Sequence, residues 1–132
     1  MTEERKKKCL LIDDDDDDRL IFSSTINKYF PCFDLESFSS FEKGKVVMND
    51  STNQHDISIV FLDLNMPKTN GLTALKEIRS DASKFNLPVV IYSTSNNPDD
   101  VNECLKAGAT AFITKPSSID ELVQEIGVYL IP

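Results

Sequence analysis

Nowhere in this chain of 132 residues does an apolar stretch approach the roughly 20 residues that a membrane-spanning helix requires. Basic residues are the minority, 14 Lys and Arg against 22 Asp and Glu, for a net charge of −8. Nucleic-acid binding draws most of its affinity from cations on phosphates, so direct contact with DNA or RNA is disfavoured. The one basic cluster, Arg5-Lys6-Lys7-Lys8, reads as a solvated lead-in to the first strand. Cysteines are few and scattered, at Cys9, Cys32 and Cys104, with no metal-type spacing. That pattern argues free thiols rather than a disulfide framework. The sole histidine, His55, sits in a polar loop running from Asn49 and makes a poor candidate for a phosphohistidine or a metal ligand. The N-terminus is charged and leads straight into a strand, which is not the pattern of a signal peptide, so a cytoplasmic location and no membrane association are expected.

What is present is a regular alternation of strand and helix patterns, with 40% hydrophobic and 27% charged residues. The length suits one domain over residues 1–132, with residues 1–7 as a charged lead-in. Strands are expected at Cys9–Ile12, weakly at Asp34–Phe38 near a sheet edge, at Ile57–Leu62, from Val89, and at Ala111–Thr114. Leu20, Ile21, Thr25, Ile26, Tyr29 and Phe30 recur at helical spacing before Pro31 stops the helix. A second helix is expected from about Glu42 to Met48, and a third on Leu72, Leu75 and Ile78, ending near Asp81. Asn97-Pro98-Asp99-Asp100 reads as a helix start, with Val101, Cys104 and Leu105 as its apolar stripe and Gly108 past its end. Ser118 and Glu121 make a capping box for a last helix that would bury Ile119, Leu122, Val123 and Ile126. Gly71 is assigned to a turn with positive φ. The sum is a (βα)5 α/β sandwich on a parallel sheet.

The strand ends carry the chemistry. The first strand runs into Asp13 and Asp14, the third into Asp63, the fourth into Ser93, and the fifth into Lys115 followed by Pro116. Open α/β sheets place ligands at the C-terminal ends of their strands. Three carboxylates, a hydroxyl and an amine at one rim suit a divalent cation and a phosphoryl group. Mg²⁺ would offset the repulsion that keeps a carboxylate from attacking phosphorus, and the lysine and hydroxyl would hold phosphoryl oxygens.

From about Cys9 to Leu130 the chain resembles the receiver domain of two-component response regulators. Five motifs carry the resemblance: Asp13-Asp14, the segment Phe61-Leu62-Asp63-Leu64-Asn65-Met66-Pro67, Gly71, Ser93, and Lys115-Pro116. It implies a flavodoxin-like doubly wound sheet of order 2-1-3-4-5. It implies Asp63 as the phosphoacceptor, with Ser93 and Lys115 binding phosphoryl oxygens. Mg²⁺ would be held by Asp14, Asp63 and the Asn65 backbone carbonyl, and by Asp13 mainly through water. Phe112 falls at the family's aromatic switch position, coupled to Ser93, and Asn65 and Ser95 at positions that tune hydrolysis. Such a protein is a signalling switch rather than an enzyme of metabolism, catalysing only its own phosphorylation and dephosphorylation. Its donor would be a sensor histidine kinase or a histidine phosphotransfer protein, its output an unknown protein partner, with a homodimer as a further option. With no effector domain in the sequence, a stand-alone receiver is expected, similar to the small receivers that partner bacteriophytochromes.

Rival assignments stand beside this one. Of the six consecutive aspartates from Asp13 to Asp18, the last four are expected to cap and charge the first helix rather than bind metal. A calcium loop is excluded because the Gly at its position 6 and the Glu at its position 12 are missing. A register slip of one residue would put Thr94 in place of Ser93. A Mg²⁺-dependent phosphohydrolase of the haloacid-dehalogenase type also uses a strand-end aspartate, but expects an acid where this chain has Asn65. A receiver-like binding module that works without phosphorylation is the third reading.

Overall fold

The computed structural model describes residues 6–50 and 57–131. Arg5 and His55 fall outside them. Five strands, β1 (Lys7–Ile12), β2 (Phe33–Phe38), β3 (Ile57–Leu62), β4 (Val89–Ser93) and β5 (Ala111–Thr114), form one parallel sheet of order β2-β1-β3-β4-β5. Between and after them run α1 (Asp16–Tyr29), α2 (Phe41–Met48), α3 (Gly71–Ser80), α4 (Pro98–Lys106) and α5 (Ile119–Gly127), and a short 3-10 turn at Ala82–Lys84 follows α3. The expected doubly wound α/β architecture, sheet order included, is the one observed.

Alternation along the strands sorts the core into two layers. Leu10, Ile12, Val60, Leu62, Val89 and Ile91 face α2, α3 and α4, packing with Phe41, Met48, Leu75, Ile78 and Cys104. Cys9, Leu11, Ile59, Phe61, Val90, Tyr92 and Ile113 face α1 and α5, packing with Phe22, Ile26, Leu122 and Ile126. Central strands covered on both faces are nearly continuous apolar runs, which is why β3 reads Ile-Ser-Ile-Val-Phe-Leu with one polar break at Ser58. The rings of Phe22 and Phe61 sit 5.0 Å apart and tilted, and Tyr92 meets Phe22 edge-on at 5.4 Å.

Each helix starts on a side chain that accepts a backbone N–H of its first turn: Asp15 from Asp18, Ser40 from Lys43, Asn70 from Thr73, Asn97 from Asp99, and Ser118 from Glu121. Three assignments of helix faces need correction. On α1 the buried face is Phe22, Thr25 and Ile26, whereas Leu20, Ile21 and Tyr29 are exposed. On α4 only Cys104 is fully buried and Leu105 is exposed, and on α5 Leu122 and Ile126 are buried while Ile119 is exposed.

Gly71 also plays a different part from the one expected. Among the described residues the positive φ belongs to Gly108, at 105°, where the chain leaves α4. Gly71 is needed for closeness: a Cβ there would lie 2.3 Å from the Asp63 carbonyl oxygen and 2.7 Å from Leu64 Cα. Its N–H donates to the Leu64 carbonyl at 2.8 Å, so α3 begins hard against the loop that follows β3. Gly71→Ala is therefore expected to lower stability by about 1–3 kcal/mol, the scale of overpacking, although alanine is the better helix former by roughly 0.5–1 kcal/mol. Chemical denaturation checks this, and a melt as stable as wild type would refute the close-approach explanation.

Candidate functional site

Ladder hydrogen bonds continue one step beyond the strands and fix the site residues on the rim. The Asp13 N–H donates to the Phe38 carbonyl at 3.0 Å, Asp63 N–H to Ile12 at 2.8 Å, and Lys115 N–H to Ser93 at 2.6 Å. These residues follow β1, β3 and β5 directly, so their positions are set by the sheet rather than by loop conformation. Ser93 is the last residue of β4, paired with Thr114, and is fully buried; Thr94 is exposed. The register thus places Ser93, not Thr94, at the site.

Asp13, Asp14 and Asp63 each offer a carboxylate oxygen, and these oxygens lie within 4.8 Å of one another. Asp13 and Asp63 are buried and Asp14 is exposed, which leaves the cluster open to solvent on one side. Lys115 Nζ stands 2.9 Å from Asp13 Oδ2, 2.7 Å from Asp18 Oδ2 and 3.8 Å from Asp63 Oδ2, over the Tyr92 ring at 5.4 Å. Asp13 Oδ2 has no solvent contact and receives no well-directed hydrogen bond, so the charge of the ammonium is what supports it. Its other oxygen accepts the Asp15 N–H at 3.0 Å, and its backbone carbonyl accepts from the Arg19 guanidinium at 2.7 Å.

The electrostatics follow from packing so many acids around one cation. Burial, and then the neighbouring Asp13 charge, push the Asp63 carboxyl up to about 7, against the pull of Lys115 and the Asn65 N–H. Burial works against the Lys115 ammonium as well. Its hydrogen bond to Asp18 and its ion pair with Asp13 more than offset that, and hold it protonated beyond the ordinary lysine range. An under-supported buried oxygen, a carboxyl short of compensating charge, and an all-oxygen donor set together fit a hard divalent cation such as Mg²⁺.

Around this cluster the remaining candidates are arranged in tiers. Asn65 donates its backbone N–H to Asp63 Oδ1 at 3.3 Å and its amide to Ser93 Oγ at 3.4 Å, so it touches both acceptor candidate and hydroxyl. The Ser95 N–H also donates to Ser93 Oγ, at 3.2 Å, while the Ser95 hydroxyl donates to Asp100 of α4 at 2.7 Å. Phe112 stands apart from the carboxylates, half-buried against the layer that includes Ile91 and Cys104. Asp15 is the helix cap that was expected, but Asp18 is not merely helix-terminal charge, because it reaches the site lysine. A uniform run of aspartates hides that role. The signal lies in the phase of α1: Asp18 is four residues before Phe22, on the buried face of the helix.

Such a rim, with an aspartate cluster and a lysine at the C-terminal edge of a five-stranded parallel sheet, defines the receiver class of signalling domain. The family model for the response regulator receiver domain matches residues 9–127, and the chain belongs to that family. It is 36% identical over 70 residues to the two-component response regulator ORR12 of Oryza sativa subsp. japonica, covering 53% of this chain and 58% of the relative. To the chemotaxis protein CheY1 of Helicobacter pylori it is 33% identical over 75 residues, covering 57% of this chain and 60% of the relative. The matches thus span little more than half the length of these curated relatives. Among solved structures, the phosphorylated cyanobacterial phytochrome response regulator RcpA superimposes with a TM-score of 0.80 at 26% identity, covering 92% of this chain and 90% of that one. RPA3017, a response regulator in red light signaling of R. palustris, gives 0.79 at 28% identity over 91% and 88%. The Mn²⁺-bound form of Rcp1 shares the fold, with a TM-score of 0.81 at 24% identity over 94% of both chains.

The raised Asp63 pKa has a definite sign in stability. A carboxyl that binds its proton more tightly folded than unfolded favours the folded state at low pH, and that contribution is lost as pH rises from the unfolded value toward about 7. Metal-free Asp63→Asn is therefore expected to melt higher than wild type at pH 8, with the gap closing toward pH 5. Parallel melts of the two proteins across that range check it; a gap that stays constant or grows on acidification would contradict it.

Proposed function

We propose that the protein is a phosphorylation-dependent switch that accepts a phosphoryl group on Asp63 from a phosphohistidine donor, with Mg²⁺ at Asp13, Asp14 and Asp63. The observation that carries this reading is the convergence of those three carboxylates within 4.8 Å of one another beside the Lys115 ammonium. Asp14 and Asp63 would hold the ion with the Asn65 carbonyl, and Asp13 would act mainly through a bound water. When bound, Mg²⁺ neutralises the carboxylates and the incoming phosphoryl oxygens together.

The chain's own groups do the rest. An Asp63 oxygen attacks phosphorus; the phosphorus–nitrogen bond of the donor breaks, and the imidazole leaves with the electron pair and takes up a proton. Lys115 pairs with a phosphoryl oxygen, and Ser93 exchanges its bonds from Asn65 and Ser95 for one to another oxygen. Phosphorylation replaces one negative charge by about two and adds strong acceptors. The turn of Ser93 vacates space at the end of β4, which Phe112 of the adjacent strand can fill. That biases a two-state equilibrium on the face formed by α4, β5 and α5. Donor candidates are a sensor histidine kinase or a histidine phosphotransfer protein. Output through a protein partner, hydrolysis tuned by Asn65 and Ser95, and a cytoplasmic setting complete the reading. No helix among the described residues is long and apolar enough to cross a membrane.

Intact mass after incubation with acetyl phosphate tests the proposal. One Mg²⁺-dependent phosphoryl adduct is expected on wild type and none on Asp63→Asn. Lys115→Met is expected to accept roughly 100-fold more slowly, the scale of losing one preorganised charge. Phe112→Ala should accept at the wild-type rate and lose partner response. Catalytic turnover of a small phosphomonoester, or beryllofluoride failing to bind with Mg²⁺, would overturn the switch reading.

A further inference from the structure

The proposed chemistry asks Lys115 to serve a phosphoryl group on Asp63, yet the lysine is held elsewhere. Its ammonium donates to Asp18 Oδ2 at 2.7 Å and stands 3.8 Å from Asp63 Oδ2. Its second short contact, with Asp13 at 2.9 Å, differs from the first in kind. The Asp13 side chain is wholly buried, whereas 31% of the Asp18 side chain is exposed. Asp13 is thus a fixed floor under the ammonium. Asp18 is the partner that water can replace, since an ion pair reaching solvent is weak and exchangeable.

Two features hold Asp18 in place to make that contact. Its backbone N–H is tied to the capping carboxylate of Asp15 at 2.9 Å, which fixes the first turn of α1. It also lies on the buried face of that helix, one turn ahead of Phe22, which is packed between Phe61 and Tyr92. The Tyr92 ring in turn lies under the Lys115 ammonium. The helix, the aromatic cluster and the lysine therefore form one mechanical unit, with Asp18 at its solvent edge.

We propose that Asp18 is a positioning residue that parks the Lys115 ammonium away from the acceptor, so that a phosphoryl group on Asp63 must draw the lysine from Asp18. This rests on the assignment of Asp63 as phosphoacceptor. The single charge of the unmodified Asp63 carboxylate, at 3.8 Å, does not win the lysine against two shorter carboxylate contacts. The roughly doubled charge of a phosphoryl group does. Asp18 thereby sets the threshold between the two states through Lys115, without touching the reacting atoms.

The test is a double-mutant cycle on beryllofluoride affinity with Mg²⁺, followed by fluorine NMR, beside the Lys115 ammonium resonance in metal-free protein. Asp18→Asn is expected to tighten beryllofluoride binding about three- to tenfold, the scale of a partly exposed ion pair, and to shift the Lys115 ammonium signal. Asp18→Ser should do the same, and serves if the asparagine variant folds poorly. Asp17→Asn removes an equal charge from the next residue and should change the affinity less than twofold. In a Lys115→Met background, Asp18→Asn should add nothing. An unchanged or weakened affinity in Asp18→Asn would overturn the proposal. So would equal tightening by Asp17→Asn, or the same tightening without the lysine. Wild type that fails to bind beryllofluoride at all would instead sink the acceptor assignment.

Discussion

Two carboxylates packed side by side at the end of a hydrophobic sheet, with one lysine between them and solvent, set the terms for this molecule. Asp13 and Asp63 are buried, and burial together with the Asp13 charge disfavours a charge on Asp63. A fold driven only by stability would not keep both, because a buried charge is costly unless it is fully paired. Lys115 supplies a single positive charge against Asp13, Asp18 and Asp63, with Asp14 close by. The deficit of positive charge is a property of the folded chain, and a hard divalent cation is the kind of ligand that fits it.

The scaffold is organised to hold that deficit in place. β1 and β3 lie side by side in the middle of the sheet, so the residues that follow them are neighbours by construction. The two-layer core immobilises both strands from either face. Gly71 lets α3 start in contact with the Asp63 backbone, and Asn65 links Asp63 to Ser93 on the next strand. Asp63 is thereby linked to Ser93 through one side chain, and to α1 through Lys115 and Asp18. Those two routes leave the site on opposite faces of the sheet.

Much of this was legible in the sequence, and the failures have physical causes. The buried strands announced themselves as unbroken apolar runs, and Asp13, Asp63, Ser93 and Lys115 fell where those runs stop. The edge strand β2 was read short by one residue, since only Phe33 is fully buried there and partial exposure gives a weaker pattern. α1 was read on a stripe that held the buried Thr25 and Ile26 but missed Phe22. Leu20, Ile21 and Tyr29 compete with Phe22 as partners of Thr25 and Ile26 at helical spacing, and only packing on the sheet decides between them. The same error of phase concealed Asp18. Gly71 was assigned a turn on general grounds, when what demands glycine there is the approach of another backbone, which no local pattern encodes.

The direct measure of the charge deficit is the ionisation of Asp63 itself, followed through its side-chain carboxyl carbon by NMR titration with and without Mg²⁺. With the metal absent, the midpoint should lie near the value of about 7 that burial and Asp13 impose. With Mg²⁺ present, it should fall to or below the ordinary carboxylate range, roughly 4. A midpoint near 4 in both conditions would mean that Asp13 and Asp63 are already compensated. The buried repulsion on which the site is built would then not exist.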